Sequence, residues 1–474
     1  MLQFSNYVGG TDTLLSNKRF VAKSQFYDFE TEAPDSNLFD LKVAVSKARS
    51  AIDECHALTF EEKRDILARA ASLTFTDANK EYIVKMTGMP RRDVDEHLAE
   101  IPGLMRRVPE YIGQWAGTSR GTIGGALPGT DLFRVLHPMN GTLYAVTPGN
   151  DSRAVAFVAT WLTVLGIPGI IKVSKEDVWT SREIVRNIID AGYPAAGLSV
   201  VCWDSKSPKA RDLNFSLVDA SQAVWAFGEN ATVDKVLRYE ERDGNAIDHF
   251  SGKIVLRHAT GRSAALVADG TSLSHASRII AESAFFWPIG CKALKSVFHE
   301  SSQRDELMEA LLKHVEEYAK HTGDPLKPTT RVGYVDKTLL SHVMKRIHDL
   351  KRVNQLTVLS GEQLGPAQTT PLLLETRDVH SEFLSQEYSL YILCLKGCAN
   401  YDEAVKELNA SAGDSHRISV SVFSDHERAL KTRLKAHHVK HNRHTSELDF
   451  LFHEGNDYLH RLTVPQIHRV NNQK

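Results

Sequence analysis

Between residues 142 and 227 short apolar runs alternate with helical stretches, and that alternation confines the chain to a parallel, doubly wound sheet. The order is Thr142–Thr147 (TLYAVT), a helix through Ala154–Leu165, Gly169–Val173 (GIIKV), a helix from about Asp177 to Ala191, then Leu198–Trp203 and Ala223–Phe227. In open α/β sheets the ligand lies beyond the carboxyl ends of the strands. The segments TPGND, KVSKED and FGEN sit at those ends and mark the expected ligand edge. Residues 263–425 repeat the texture: Ala264–Ala268, a helix, Leu294–Phe298, a long helix from Gln303, then Tyr391–Leu395 and Ile418–Phe423. A second α/β domain is predicted there.

The flanking segments read differently. Residues 40–115 are helical in pattern; in Thr59–Leu73, Thr59 is an N-cap, Glu61 and Glu62 fill the first turn, and Ile66, Leu67, Ala70 and Ala71 share a face. Residues 117–130, rich in Gly and Thr, predict an exposed ribbon or turn, and the tail 448–474 ends in a strand-like TVPQIHRV. A length of 474 residues allows two to four domains at ~150 residues each. Lys and Arg number 57 against 59 Asp and Glu, so the net charge of −2 gives no bulk attraction to nucleic acid or an anionic membrane, and neither is expected as a partner. No apolar stretch reaches the ~20 residues of a membrane span. The start, MLQFSNYVGGTDTLL, lacks a secretory layout, and five scattered cysteines make no disulfide framework. A cytoplasmic location is expected.

Four motifs stand out by order and spacing. Thr147-Pro148-Gly149-Asn150 falls between a strand and a helix. Lys172-Val173-Ser174 ends a strand and is followed, 19 residues after Lys172, by Ala191-Gly192-Tyr193-Pro194. Cys291 lies in FFWPIGCKALKSVF, where a helix gives way to a strand. Gly323-Asp324-Pro325-Leu326 comes next, with Glu387 further on, before YILCL.

This ordered set resembles the aldehyde dehydrogenase superfamily over about residues 40–474. The resemblance implies two doubly wound parallel-sheet domains with a small β oligomerisation arm. Residues 1–115 with 140–258 would bind nucleotide, 259–445 would carry the catalytic cysteine, and 116–139 with 446–474 would form the arm. It implies a homodimer or homotetramer. Residue by residue, Cys291 is the implied nucleophile, suited to the task because thiolate sulfur is both a strong nucleophile and a good leaving group. Asn150 is the implied oxyanion donor, acting with the Cys291 backbone N–H. Thr147, Lys172, Ser174, Lys175, Gly228 and Glu387 fall on the cofactor: Lys172 and Ser174 at the adenosine ribose, Gly228 by the pyrophosphate and nicotinamide, Glu387 at the nicotinamide ribose. Cys55, Cys202, Cys394 and Cys398 read as inert thiols.

The departures from the family pattern narrow the expectation. Members that oxidise aldehydes need a carboxylate to activate the water that hydrolyses the thioester. In VLRHATGRSA that slot holds Arg257, or His258 with a one-residue shift. The usual phenylalanine-threonine-glycine-serine turn is AFGENA, and its second glycine is Val233. Lys175 stands where NAD-preferring members often carry a glutamate, which points to NADP(H) as the preferred cofactor with NAD(H) as the alternative. Together with IIKVSKED, LSVVCW, TGRSAALVAD and HEGNDYLHRLTV, these features resemble the acyl-thioester (fatty acyl-CoA) reductases of bacterial bioluminescence. The implied activity is NADPH-dependent reduction of an acyl thioester to an aldehyde through an S-acyl-cysteine, with an acyl-carrier or acyl-transfer protein as a further candidate donor. The alternatives are oxidation of an aldehyde to an acid, and a scaffold that keeps the fold without the chemistry. His437, His441 and His444, with His438 beside them, would share one face if AHHVKHNRH were helical. No partner carboxylates are suitably spaced, the chemistry needs no metal, and none is expected.

Overall fold

The computed structural model describes residues 1–13, 18–119, 121–127, 132–228, 230–237, 252–259, 261–413, 416–445, 452–453 and 456–469. Glu229 of the AFGENA turn and residues 454–455 of the HEGND stretch lie outside them.

The first sheet has seven strands. Gly169–Lys172 lies at its centre, paired in parallel with Leu143–Val146 on one side and Leu198–Val201 on the other. Ala223–Phe227 and Ile254–His258 extend it in parallel beyond Leu143–Val146. The other edge is closed by two antiparallel strands near the N-terminus, Asn6–Val8 and Thr11–Thr13, so the sheet is mixed at that edge. The central strands are buried at every position because helices cover both faces. One cover is the helix Arg153–Leu165, buried from Val158 to its end and stopped by Gly166 in the left-handed region (φ +75). Another is Phe60–Ala70. There Thr59 caps the helix, Glu62 returns a bond to the Thr59 N–H at 2.7 Å, and Ile66, Leu67, Ala70 and Ala71 are buried as the spacing predicts.

The second sheet also has seven strands, in the order Leu356–Ser360, Leu372–Thr376, Ile392–Cys398, Leu294–Glu300, Ser263–Val267, Arg417–Phe423 and Ala436–His441. Only Leu356–Ser360 is antiparallel. The histidine-rich segment is not helical. Ala436–His441 is an edge strand whose backbone pairs with Arg417–Phe423, so its side chains alternate between faces and the one-face array a helix would make does not form. Among the described residues no group of three or more His, Cys, Asp or Glu is placed to hold a metal ion. No helix among them is long and apolar enough to cross a membrane.

A four-stranded sheet stands apart. Thr118–Ser119 and Thr122–Ala126 form the predicted ribbon, followed by Leu132–Pro138 and then Thr463–Arg469 from the chain's end. Val464 and Ile467 are more than half exposed on this outer strand.

Candidate functional site

The two large sheets meet head to foot. Carboxyl ends of the first sheet (Asn150 after Leu143–Val146, Gly228 after Ala223–Phe227, His258 closing its own strand) face amino ends of the second, where Cys291 precedes Leu294–Glu300 and Glu387 precedes Ile392–Cys398. All five residues line one cavity of about 780 Å³.

Cys291 is presented by a tight turn. The helix Leu273–Phe285 ends and Trp287 takes φ +54, a left-handed conformation unusual for a bulky residue. Three contacts hold it there. Its N–H donates to Asp93 Oδ2 at 3.4 Å, its ring lies against His97 with centroids 3.5 Å apart, and the Gly290 N–H closes back onto its carbonyl at 3.0 Å. Burial pushes the Asp93 carboxyl up to about 8. The turn is pinned from two further sides: Asn150 Nδ2 donates to the Ile289 carbonyl at 2.7 Å, and the buried Lys295 Nζ donates to Pro288 O at 2.7 Å and Leu390 O at 3.0 Å. Burial pulls the Lys295 ammonium down, with Glu387 opposing. Cys291 is exposed, whereas the other four cysteines are buried. Burial raises the thiols of Cys55 to about 11 and of Cys202 and Cys398 to about 12, and that of Cys394 higher still.

Gly261 shows how tightly the nucleophile's backbone is packed. A Cβ there would stand 1.3 Å from the Cys291 carbonyl oxygen, so only glycine lets the two segments touch. The Gly261 N–H donates to Glu387 Oε2 at 2.7 Å, which joins that carboxylate to the same junction.

Of the two residues aligned with the missing carboxylate, Arg257 ion-pairs with Asp234 at 2.6 Å, and His258 faces the cavity. His258 is 2 % exposed, packed among Trp225, Phe227 and Tyr458, with Nε2 2.9 Å from the Tyr458 hydroxyl. Burial, helped by the Lys292 charge, holds its pKa well below the ordinary value, so the imidazole is neutral.

The remaining predicted residues sit along the carboxyl edge of the first sheet, outside the cavity wall. Thr147 is buried, its N–H bonded to the Lys172 carbonyl at 3.0 Å. Lys172 is 6 % exposed; its Nζ donates to Ser205 Oγ at 3.0 Å and lies over the Trp203 ring. Burial lowers its pKa. Ser174 hydrogen-bonds Glu176, and Lys175 Nζ stands 3.7 Å from Glu176 Oε1. A Cβ at Gly149 would come within 2.7 Å of both Ser174 Oγ and Glu176 Oε2, so a glycine keeps this edge clear. Gly228, where the edge meets the cavity, takes φ +145, a backbone conformation that favours glycine. Hydroxyl, ammonium and carboxylate groups beside two bare glycines suit a nicotinamide dinucleotide laid along the edge.

Sequence reasoning missed Asp93, His97, Glu176, Gly261 and Lys295. Lys295 carried a usable signal, a charge inside the apolar run ALKSVF. Asp93 and His97 carried none, being ordinary polar residues of a long helix, Arg91–Ala116.

A sequence model described as the aldehyde dehydrogenase family matches residues 29–455. No curated protein sequence matches the chain. Solved structures do. A P. syringae indole-3-acetaldehyde dehydrogenase in complex with NAD+ and IAA has a TM-score of 0.83 at 18% identity, with 99% of this chain and 96% of that one covered. An NADP-dependent glyceraldehyde-3-phosphate dehydrogenase from Bacillus halodurans C-125 gives 0.82 at 17%, with 99% of each covered. An NAD-dependent benzaldehyde dehydrogenase from Corynebacterium glutamicum gives 0.80 at 18%, with 98% and 97% covered. At these identities the likeness is one of fold.

Proposed function

The chain belongs to the aldehyde dehydrogenase family, NAD(P)-dependent oxidoreductases acting on aldehydes, and from that premise we propose that it runs the chemistry in the reductive direction, converting an acyl thioester to an aldehyde. The Cys291 thiolate attacks the thioester carbonyl, and the oxyanion is held by the Asn150 amide and the Cys291 N–H. An amide carries two N–H donors; one steadies the Cys291 turn through Ile289, which leaves the other for the oxyanion. The donor leaves as a thiolate and the acyl group stays on sulfur. A nicotinamide cofactor held along the carboxyl edge of the first sheet would supply hydride to the acyl carbon; Cys291 then leaves as a thiolate and the aldehyde is released.

The observation that carries this reading is His258. In the slot where hydrolysis needs a carboxylate there is a buried neutral imidazole bonded to Tyr458, a weak base in a dry aromatic setting. An S-acyl enzyme would therefore persist until reduced. Aldehyde oxidation remains the second reading, favoured by the family itself, and would require His258 to activate water. Residues 147, 172, 174, 175, 228 and 387 are proposed to hold the cofactor. NADP(H) is preferred on the strength of Lys175, with Glu176 beside it tempering the preference. We assign the nucleotide-binding, catalytic and arm regions to 1–115 with 140–258, 259–445, and 116–139 with 446–474. The exposed outer strand Thr463–Arg469 is proposed to pair with a second copy, giving a dimer or tetramer.

The deciding experiment supplies acyl-CoA without NADPH and seeks the acyl adduct by mass spectrometry, then compares NADPH oxidation with acyl-CoA against NAD(P) reduction with aldehyde. An adduct on Cys291 with faster reduction supports the proposal. An adduct elsewhere, or brisk acid formation from aldehyde, refutes it.

A further inference from the structure

A chain of hydrogen bonds enters the Cys291 turn from outside it. Thr445 stands just past the edge strand Ala436–His441 and is fully buried. Its hydroxyl donates to the Lys292 carbonyl at 2.8 Å. The N–H of that same peptide unit, on Ala293, donates to the Gly290 carbonyl at 2.9 Å. The N–H of the Gly290–Cys291 unit is that of Cys291. The chain therefore runs from Thr445 through two peptide planes to the backbone donor beside the thiol. Thr445 is itself held from two sides. Its N–H donates to Ser283 Oγ at 3.4 Å, in the last turn of the helix Leu273–Phe285, and its carbonyl accepts from the buried Lys440 Nζ at 3.4 Å. One residue thus grips both flanks of the turn, Ser283 before it and Lys292 after it.

We propose that Thr445 is a positioning residue for the oxyanion site, acting through the Lys292–Ala293 peptide on the Cys291 N–H. A carbonyl that accepts a hydrogen bond polarises the N–H of its own peptide unit, and successive bonds of this kind strengthen one another away from water. The Thr445 bond also fixes the plane of the 292–293 peptide, which holds the Gly290 carbonyl and with it the direction of the Cys291 N–H. Without the hydroxyl, a carbonyl in a buried setting loses its donor, and the plane turns toward another. The inference rests on the reading of the Cys291 N–H as an oxyanion donor, but not on the direction of the reaction. Attack on a thioester or on an aldehyde places negative charge on the same oxygen.

The test compares two reactions of one sulfur in the full-length protein. Acylation of Cys291 by acyl-CoA develops an oxyanion; alkylation by iodoacetamide is displacement at a saturated carbon and develops none. Thr445→Val, close in shape but without the hydroxyl, is expected to slow single-turnover acylation about tenfold, less than the ~10²–10³ for an oxyanion donor removed outright, because the Cys291 N–H is kept and only misdirected. Alkylation of Cys291, followed by peptide mass spectrometry, should stay within about twofold of the parent, as should KM. Thr445→Ser, which keeps the donor, should recover acylation to within about threefold. Should valine prevent folding, Thr445→Ala, which adds no bulk, is read by the same two rates. Acylation within about twofold of the parent overturns the proposal, and so does an equal loss of acylation and alkylation, which would mean that Thr445 only supports the fold around the thiol. A parent protein that forms no adduct from acyl-CoA refutes the thioester reading instead. The chain from Thr445 is then read on aldehyde turnover, which passes through the same oxyanion, with alkylation again as the control.

Discussion

Replacing Gly261 with alanine tests whether the contact between the two sheets sets the position of the nucleophile. The new Cβ would lie 1.3 Å from the Cys291 carbonyl oxygen, where real contacts do not fall below 3.0 Å, so one backbone segment must retreat by at least 1.7 Å. That oxygen belongs to the residue that attacks, and a misplacement of about 1 Å at a reacting centre costs ~10²-fold in rate. The same shift loosens the Gly261 N–H bond to Glu387. Overpacking of this kind costs ~1–3 kcal/mol of stability, too little to unfold a large protein outright. Gly261→Ala is therefore expected to fold and to lose at least ~10² in acyl transfer to Cys291, with affinity for adenosine nucleotides intact because the Lys172–Lys175 edge lies on the other sheet. Single-turnover acylation followed by mass spectrometry, nucleotide titration and a thermal melt separate these effects. Acylation within about threefold of the parent, with an unchanged melt, would show that the junction is loose and the reasoning wrong.

Asn150→Ala should lower kcat by ~10²–10³ with a much smaller change in KM, since the amide acts once charge develops on the carbonyl oxygen; steady-state kinetics with acyl-CoA reads it. His258→Glu should raise acid formation relative to aldehyde from the S-acyl enzyme, measured by product partition. Lys175→Glu should narrow or reverse the NADPH preference and Glu176→Gln should widen it, as nucleotide titrations will record. Asp93 makes stability depend on pH. Its folded carboxyl is raised from 3.8 to about 8, so the fold keeps a proton that the unfolded chain releases, and stability falls as pH climbs from about 4 to about 8. The loss amounts to at most ~6 kcal/mol. Chemical denaturation across that range should show the decline in the parent and a flatter profile in Asp93→Asn.

Much of the architecture was legible because its signals are local. A strand buried on both faces must be largely apolar, and Leu143–Val146, residues 169–171 before Lys172, and Ala223–Phe227 are, so their alternation with helices could be read within a residue or two. The Thr59 cap is equally local. The antiparallel edge strands Asn6–Val8 and Thr11–Thr13 went unread, being three residues each. The conformation of the histidine segment was not legible, because spacing in sequence carries no information about which backbone it will pair with; Arg417–Phe423 claimed it as a strand.

The sequence by itself determined the chemical parts: one cysteine and one asparagine in family order, no carboxylate at 257 or 258, and a lysine at 175. Tertiary structure decided what surrounds them. It set Gly261 against the Cys291 carbonyl, placed Glu176 beside Lys175, sealed His258 into aromatics with Tyr458 from the far end of the chain, and brought His97 of one helix within 3.9 Å of Asp151. Periodicity and motif spacing report forces that act along a few residues of chain. Desolvation, charge pairing and close backbone contact depend on neighbours as far as 200 residues away, which only the folded packing brings together.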